Sequence, residues 1–407
     1  MCSALAHAPA PPAGASPLPA CEPMHVVVTN PFAWPHVRRG AERLLNDLAA
    51  WLRSRGHRVT VFAMGPQDAE EDRDGVRYVF MRERMRSSRR QLNSLHYFAW
   101  RLQRELKGIE ADAVFCLNYF DAYAALQARP QAPKPYRIVF QAVGIPTRRY
   151  FRAVPLDAWF IRRVLREADA TVSLSSFARD LLQSDFGCRS LVLPPPVMTH
   201  DFSKLEAVVP EGGPIVLFVG DLDEPRKGVR ALCMAFDLVK QVHPDAQLVL
   251  AGRASDATRQ MLLALPRVAA HASSIRFHGV GGVHDLPDLY RQASVTVLPS
   301  VWEAFGLVLV ESLAAGTPLV GAQHAGIVDI IDSPMVGRMF DPGRFELQTD
   351  NIAGLAQAIL DVLVQGKTPE VIAACRARAE CFSWDALGPA YEQALLPQGA
   401  QRRTAST

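Results

Sequence analysis

The stretch Ser300–Val320 reads SVWEAFGLVLVESLAAGTPLV. It sets two carboxylates, Glu303 and Glu311, in an apolar run with seven residues between them. The preceding VTVLPS predicts a strand ending near Ser300, and the run after it predicts a helix starting near Phe305–Leu307. Glu303 then falls in the strand-to-helix turn, and Glu311 falls about one turn into the helix. The free N–H groups of Phe305, Gly306 and Leu307 crown the helix start, where backbone donors and the macrodipole favour a phosphate. Gly306 lets a phosphate approach the backbone closely. Carboxylates accept hydrogen bonds from sugar hydroxyls, so the pair describes a ligand with hydroxyls on either side of a diphosphate. The alternative is a helix-start glutamate and a second glutamate on a solvated face.

Working outward, the same strand–helix rhythm fills the chain. MHVVVTN (Met24–Asn30) is a β-branched run fit for a buried parallel strand. GAERLLNDLAAWLRSRGH follows as an amphipathic helix stopped by Gly56, and RVTVFAMG is the next strand. Strand, helix and strand in that order make a βαβ unit. ADAVFCLN, YRIVFQAVG and ADATVSLSS continue it, with a helix at Phe177–Asp185, and LVLPPP closes the half. After a Pro-rich and polar stretch the pattern restarts with PIVLFVGD, a helix at Val229–Val242, AQLVLAG, SIRFHGV, SVTVLPS and PLVGA. The expected class is α/β, with two doubly wound halves in tandem and the ligand at the carboxyl ends of the strands, in the cleft between the halves.

The expected divisions are an Ala/Pro-rich disordered extension over 1–23, a first domain over 24–200 and a linker over 201–213. A second domain covers 214–382, a closing helix that returns to the first domain covers 383–398, and a disordered tail covers 399–407. The chain length of 407 residues suits two domains rather than one core. Seven scattered cysteines without a CxxC argue against a disulfide framework or zinc site and for a reducing cytoplasm. The first 23 residues lack the positive start and apolar core of a secretory signal, and no apolar run is long enough to span a membrane.

At this point a resemblance becomes specific. The quoted segment resembles the Glu–x7–Glu segment of the retaining family 4 glycosyltransferases of the GT-B fold. FVGDLDEPRKG is similar to their diphosphate loop, particularly in mannosyltransferase members. FHGVGGVHDLPDLYRQASVTVLPS resembles their base-binding loop and following helix. HAGIVDII is similar to their GG-x-P-E segment, and FSW (Phe382–Trp384) to the start of the closing helix. The resemblance implies two Rossmann-like domains that face a central cleft. It implies transfer of a hexose from a nucleotide diphosphate sugar to a hydroxyl acceptor that is polysaccharide, lipid-linked or small. It also implies retention of configuration, with no metal and no cofactor beyond the donor. By position, Glu303 would contact the donor sugar and Glu311 its ribose. The amides of Phe305, Gly306 and Leu307 would meet the diphosphate or sugar. Lys227 would neutralise the diphosphate with Arg226 beside it, and Gly220 would belong to the same loop. Gly279 and Val280 would meet the base through backbone, and Gly40 would allow close approach in the first domain.

Departures from the family pattern are equally specific. Asp221 stands where many relatives carry Arg, and an acid there repels a diphosphate unless it turns away with Arg226 compensating. The first-domain His of relatives is missing near Gln141–Gly144, which leaves Gln141, Arg148 and Arg149 as nearby polar groups. RRG (Arg38–Gly40) replaces a Gly-Gly pair, and Asp329 replaces a common Glu. DRD (Asp72–Asp74) and DLD (Asp221–Asp223) look like metal triplets. The first reads better as an exposed loop, and the second lies where cations already serve. These departures leave room for a catalytically weak paralogue acting as a partner subunit, or for a nucleotide-sugar epimerase.

The net charge of +3 hides an asymmetry, because residues 24–200 carry 27 Lys+Arg against 17 Asp+Glu. Much of the excess lies in Arg82–Lys107 and Thr147–Glu167, where arginines interleave with Trp, Tyr and Phe. Such a helix either lies on an anionic membrane surface or is a solvated face over core aromatics. No nucleic-acid motif accompanies the charge. The expected location is the cytoplasm, with a peripheral position on the inner membrane face as the lipid-facing variant.

Overall fold

The computed structural model describes residues 22–34, 40–83, 93–145, 147–204, 206, 208, 212–279 and 285–397. Two units divide the chain. The first takes the described residues up to Ser173, Arg179–Leu193 and those from Trp384 onward; the second takes Leu174–Ala178 and Pro194–Ser383.

In the first unit the strands are β1 (His25–Thr29), β2 (Arg58–Gly65), β3 (Ala69–Arg73), β4 (Val76–Arg82), β5 (Ala113–Cys116), β6 (Arg137–Ala142), β7 (Ala170–Ser173) and β8 (Leu191–Val192). They form one sheet in the order β3-β4-β2-β1-β5-β6-β7-β8. Only the edge strand β3 runs antiparallel to its neighbour. β1 and β5 are buried along their whole length, as a parallel sheet covered on both faces requires. The DRD triplet is not a plain loop: Asp72 and Arg73 end β3, and Asp72 Oδ1 accepts from Gly75 N at 2.9 Å to close the hairpin.

The helix Trp384–Leu395 groups with this unit. Trp384 stacks on Trp51 at 5.7 Å. Met24 N donates to His57 Nδ1 at 3.2 Å, which leaves Nε2 as the donor to Glu392 Oε1 at 2.8 Å. Gly388 is required there, since a Cβ would lie 2.4 Å from the Trp51 ring.

Asp121 lies in the first turn of the helix Tyr119–Ala128, beside the carboxyl ends of β1 and β5. It is fully buried, and neither carboxylate oxygen has a hydrogen-bond partner among the described residues. The Thr29 hydroxyl lies beside it without meeting hydrogen-bond geometry. Burial pushes the carboxyl well above its usual range, so the acid is neutral where an unfolded chain would be ionised. The unfolded state then binds fewer protons, and stability falls as pH rises above about 4 toward the folded pKa. Asp121→Asn removes that dependence. The stability gap in favour of the variant is expected to widen by up to about 1.4 kcal/mol per pH unit in that window. Urea unfolding between pH 4 and 8 reads it, and a gap independent of pH contradicts the assignment.

The second unit holds β9 (Ile215–Val219), β10 (Gln247–Ala251), β11 (Ile275–His278), β12 (Val295–Leu298), β13 (Leu319–Ala322) and β14 (Gly337–Phe340). Every pairing in this sheet is parallel, in the order β11-β10-β9-β12-β13-β14. The chain moves outward from β9 to β11 and then returns to lay β12 on the other side of β9. The topological switch point is therefore the β9–β12 crevice, where open α/β sheets bind ligands. β3, β4 and β14 are the strands that sequence reading did not anticipate. β3 is mostly charged, and β14 carries an arginine in a short run. Cys116, Cys188, Cys233, Cys375 and Cys381 are free thiols, and all but Cys381 are buried.

Candidate active site

The loops that leave β9 and β12 are knitted together at the switch point. The loop after β9 ends in a single 3-10 turn, Pro225–Lys227, closed by Gly228 at φ 74°. A Cβ on Gly228 would lie 2.7 Å from the Pro299 carbonyl, so the two loops touch through backbone. Ser300 Oγ donates to the Arg226 carbonyl at 3.0 Å, and Arg226 Nη1 donates to the Trp302 carbonyl at 2.7 Å. Lys227 Nζ donates to Glu303 Oε2 at 2.6 Å, with both side chains largely shielded. The two groups named in the sequence as phosphate and sugar contacts thus form one ion pair.

The helix after β12 spans Leu307–Ala314, within the span expected from sequence. Gly306 is its N-cap at φ 109°, a left-handed conformation that L side chains rarely adopt, and no side chain caps the helix. The amides of Phe305, Gly306 and Leu307 have no acceptor among the described residues. Glu311 is 3% exposed, which overturns the solvated-face alternative. Its Oε2 accepts from the Tyr290 hydroxyl at 2.8 Å. Gly326 N donates to the Glu303 carbonyl at 2.9 Å, and a Cβ on Gly326 would strike the Ala304 carbonyl. The HAGIVD segment therefore props the Glu303 turn. Asp329 within it points to Ser176, accepting from its N at 2.6 Å and its Oγ at 2.5 Å.

Several expectations change. Asp221 is paired with a cation that the sequence did not single out. Arg253 Nη2 donates to Asp221 Oδ2 at 2.6 Å, while Arg226 is held by Glu224 at 2.6 and 3.0 Å. Asp223 accepts from N and Oγ of Ser255, the N-cap of the helix Asp256–Leu263, and hydrogen bonding from Thr258 first and Ser255 next pulls its carboxyl down to about 2. The DLD pair is thus consumed by local bonds. Gln141 is buried and spends its Nε2 on the Tyr391 hydroxyl at 2.9 Å. Arg148 and Arg149 are exposed on the helix Arg148–Ala153. Gly220 follows β9, and a Cβ there would meet the Phe218 ring and the Lys227 stem. Gly279 follows β11, and among the described residues nothing lies within 4 Å of a Cβ placed there; Gly40 begins the helix Gly40–Ser54. Val280, Arg38 and Arg39 lie outside the described residues.

Sequence reading missed Tyr290, Arg253 and His324. The His324 ring packs against Phe177, Trp302 and Phe345 at 4.9, 5.5 and 4.9 Å, and burial pulls its pKa down. None of the three stands in a spacing that sequence alone could flag.

Residues 38–201 match the family described as Glycosyltransferase Family 4, and residues 213–365 match glycosyl transferases group 1. The chain belongs to the family 4 glycosyltransferases, and its two Rossmann-like units make a GT-B fold. A phosphatidyl-myo-inositol mannosyltransferase of Propionibacterium freudenreichii subsp. shermanii is 27% identical over 233 residues, which is 56% of each chain. A D-inositol 3-phosphate glycosyltransferase of Acidothermus cellulolyticus is 32% identical over 278 residues, 60% of this chain and 58% of the relative. The chain thus spans little more than half the length of these curated relatives. Among solved structures, a sucrose-phosphate synthase from Thermosynechococcus elongatus superposes with a TM-score of 0.76 at 20% identity, over 94% of this chain and 100% of the other. Anabaena HepE in complex with UDP and glucose superposes at 0.67 with 19% identity, over 91% and 99%.

Proposed function

We infer that the protein is a retaining, metal-independent glycosyltransferase that moves a hexose from a nucleotide diphosphate sugar to a hydroxyl acceptor. The observation that carries this reading is the Lys227–Glu303 pair at the β9–β12 switch point, beside an uncapped helix start. Residues 214–382 form the donor side, and 24–200 the acceptor side. The diphosphate lies against Lys227, Arg226 and the amides of Phe305, Gly306 and Leu307. Glu303 is released to the sugar hydroxyls as phosphate takes its place on Lys227. Glu311, oriented by Tyr290, accepts from the ribose. The base meets backbone near Gly279 and Val280.

Chemistry follows from charge. The bond from the anomeric carbon to the diphosphate oxygen breaks while charge grows on the leaving group. Lys227 and the helix start stabilise that charge without rearranging. The acceptor oxygen bonds to the anomeric carbon on the same face, and its proton passes to the departing phosphate. The cations already present do the work a metal would do, so chelation is expected to leave turnover unchanged. Proton NMR of the product anomer tests retention.

A thermal-shift screen with UDP, GDP, ADP and TDP tests the donor site. One diphosphate is expected to raise the melting temperature through binding linkage. Glu311→Ala should lose most of that shift, and Glu311→Gln, which keeps an acceptor for Tyr290, serves as the folding control. Equal shifts in wild type and Glu311→Ala would remove the ribose role.

The acceptor side carries an aromatic, basic face. The helices Ser94–Leu106 and Pro155–Glu167 converge, with His96 against Phe160 at 6.0 Å, and Tyr123 reaches Trp159 at 5.5 Å. Trp100, Tyr150, Leu156 and Trp159 are each more than 40% exposed there, among arginines. Residues 84–92 of the first basic segment lie outside the described residues. Among the described residues no helix is long and apolar enough to cross a membrane. This face supports peripheral contact with anionic lipid and, with a relative named for phosphatidyl-myo-inositol, a lipid-linked acceptor. Co-sedimentation with anionic but not neutral vesicles is the expected result; binding to neither removes the membrane from this reading.

A further inference from the structure

The carboxyl ends of β9 and β10 run so close that a Cβ on Gly252 would sit 1.7 Å from the Gly220 carbonyl oxygen. Gly220 N donates to the Ala251 carbonyl, and Leu222 N donates to the Arg253 carbonyl, each at 2.9 Å. Asp223 then holds Ser255, the N-cap of the helix Asp256–Leu263. The backbone of Arg253 is thereby pinned on both sides. Its guanidinium is not, because its side chain is 72% exposed and donates only through Nη2 to Asp221 among the described residues.

The other cations of the site are more fully engaged. Lys227 is bonded to Glu303, and Arg226 spans Glu224 and the Trp302 carbonyl. Four carboxylates, Asp221, Asp223, Glu224 and Glu303, accompany just these two cations on the two loops. A diphosphate arriving there meets net negative charge unless a further cation takes part. Arg253 stands beside the Gly220 turn, and the Lys227 stem packs against that same turn. A guanidinium with most of its donors unspent is suited to a bidentate grip on phosphate.

We propose that Arg253 is a donor-phosphate residue, held ready by Asp221 and transferred from that carboxylate to the phosphate when the nucleotide diphosphate binds. Asp221 aims the side chain and competes with phosphate for it. The inference rests on the donor reading above.

The test is titration calorimetry with the diphosphate that shifts the wild type most. Arg253→Ala should bind about tenfold more weakly at unchanged melting temperature, the size expected for loss of one charge-assisted contact. Asp221→Asn, which removes the competitor, should bind more tightly than wild type. The exchanged pair D221R/R253D should recover affinity to within about threefold of wild type, since the cation is restored on the same crest. Affinity in Arg253→Ala equal to that of wild type overturns the proposal while leaving the donor site standing. A wild type that binds no diphosphate, with Arg253 and Lys227 intact, overturns the donor reading and this inference with it.

Discussion

Replacing Lys227 with alanine is expected to lower turnover by about 10²- to 10³-fold, the usual cost of losing one preorganised group that meets charge developing in the transition state. The structure explains why the loss should fall on kcat more than on donor binding. The ammonium is already placed, 2.6 Å from Glu303 and largely shielded from water. It therefore needs no reorganisation when the diphosphate gains charge. Arg226 cannot replace it, because its Nη1 is 3.9 Å from the same Glu303 oxygen and its other donors are bound to Glu224. Removing Lys227 also leaves Glu303 without its close partner, so the variant should carry a second, smaller penalty in sugar contact. Lys227→Ala combined with Glu303→Gln should then lose less than the product of the two single effects, since each change removes the same ion pair. Steady-state kinetics at saturating donor give the numbers. Wild-type kcat in Lys227→Ala would remove the lysine from the mechanism.

Gly252→Val is expected to cost the second unit more than about 4 kcal/mol, enough to leave little folded protein. Two penalties add here. Gly252 holds φ 147°, a backbone state that β-branched residues do not tolerate, and its Cβ would overlap the Gly220 carbonyl oxygen. That oxygen belongs to the backbone at the end of a buried strand, so it cannot swing aside as a surface side chain would. Gly252→Ala isolates the contact and should already be strongly destabilising. Urea unfolding followed by tryptophan fluorescence reports it, with Gly279→Ala as the comparison, because no described residue lies within 4 Å of a Cβ there and the change should alter stability little. A Gly252→Ala variant as stable as the wild type would mean that β9 and β10 do not approach in this way, and the placement of Arg253 would fail with it.

Much of this protein was legible before any tertiary contact was known. The β-branched runs that became β1, β5, β9 and β12 are short, apolar and regularly interrupted by helices, and that rhythm is dictated by burial on both faces of a parallel sheet. The helix start at Gly306 followed from local chemistry: a glycine, an apolar run and free amides. Glu303 and Glu311 could be singled out because they flank the strand-to-helix turn, whereas Lys227 was named only through the family resemblance. What the sequence could not contain was pairing across it. Lys227 and Glu303 are 76 residues apart, and only the return of β12 to the flank of β9 brings them together. The partner of Asp221 was out of reach for the same reason. Its nearest cation along the chain is Arg226, but the parallel register of β9 and β10 delivers Arg253 instead. Charge acts through space at the range of a few ångströms, so the fold selects the partner where sequence proximity only suggests one. Periodicity and turn chemistry are local and survive in a string of letters; ion pairs, orphaned buried acids such as Asp121 and glycines pressed against a neighbouring strand arise only when distant segments are packed together.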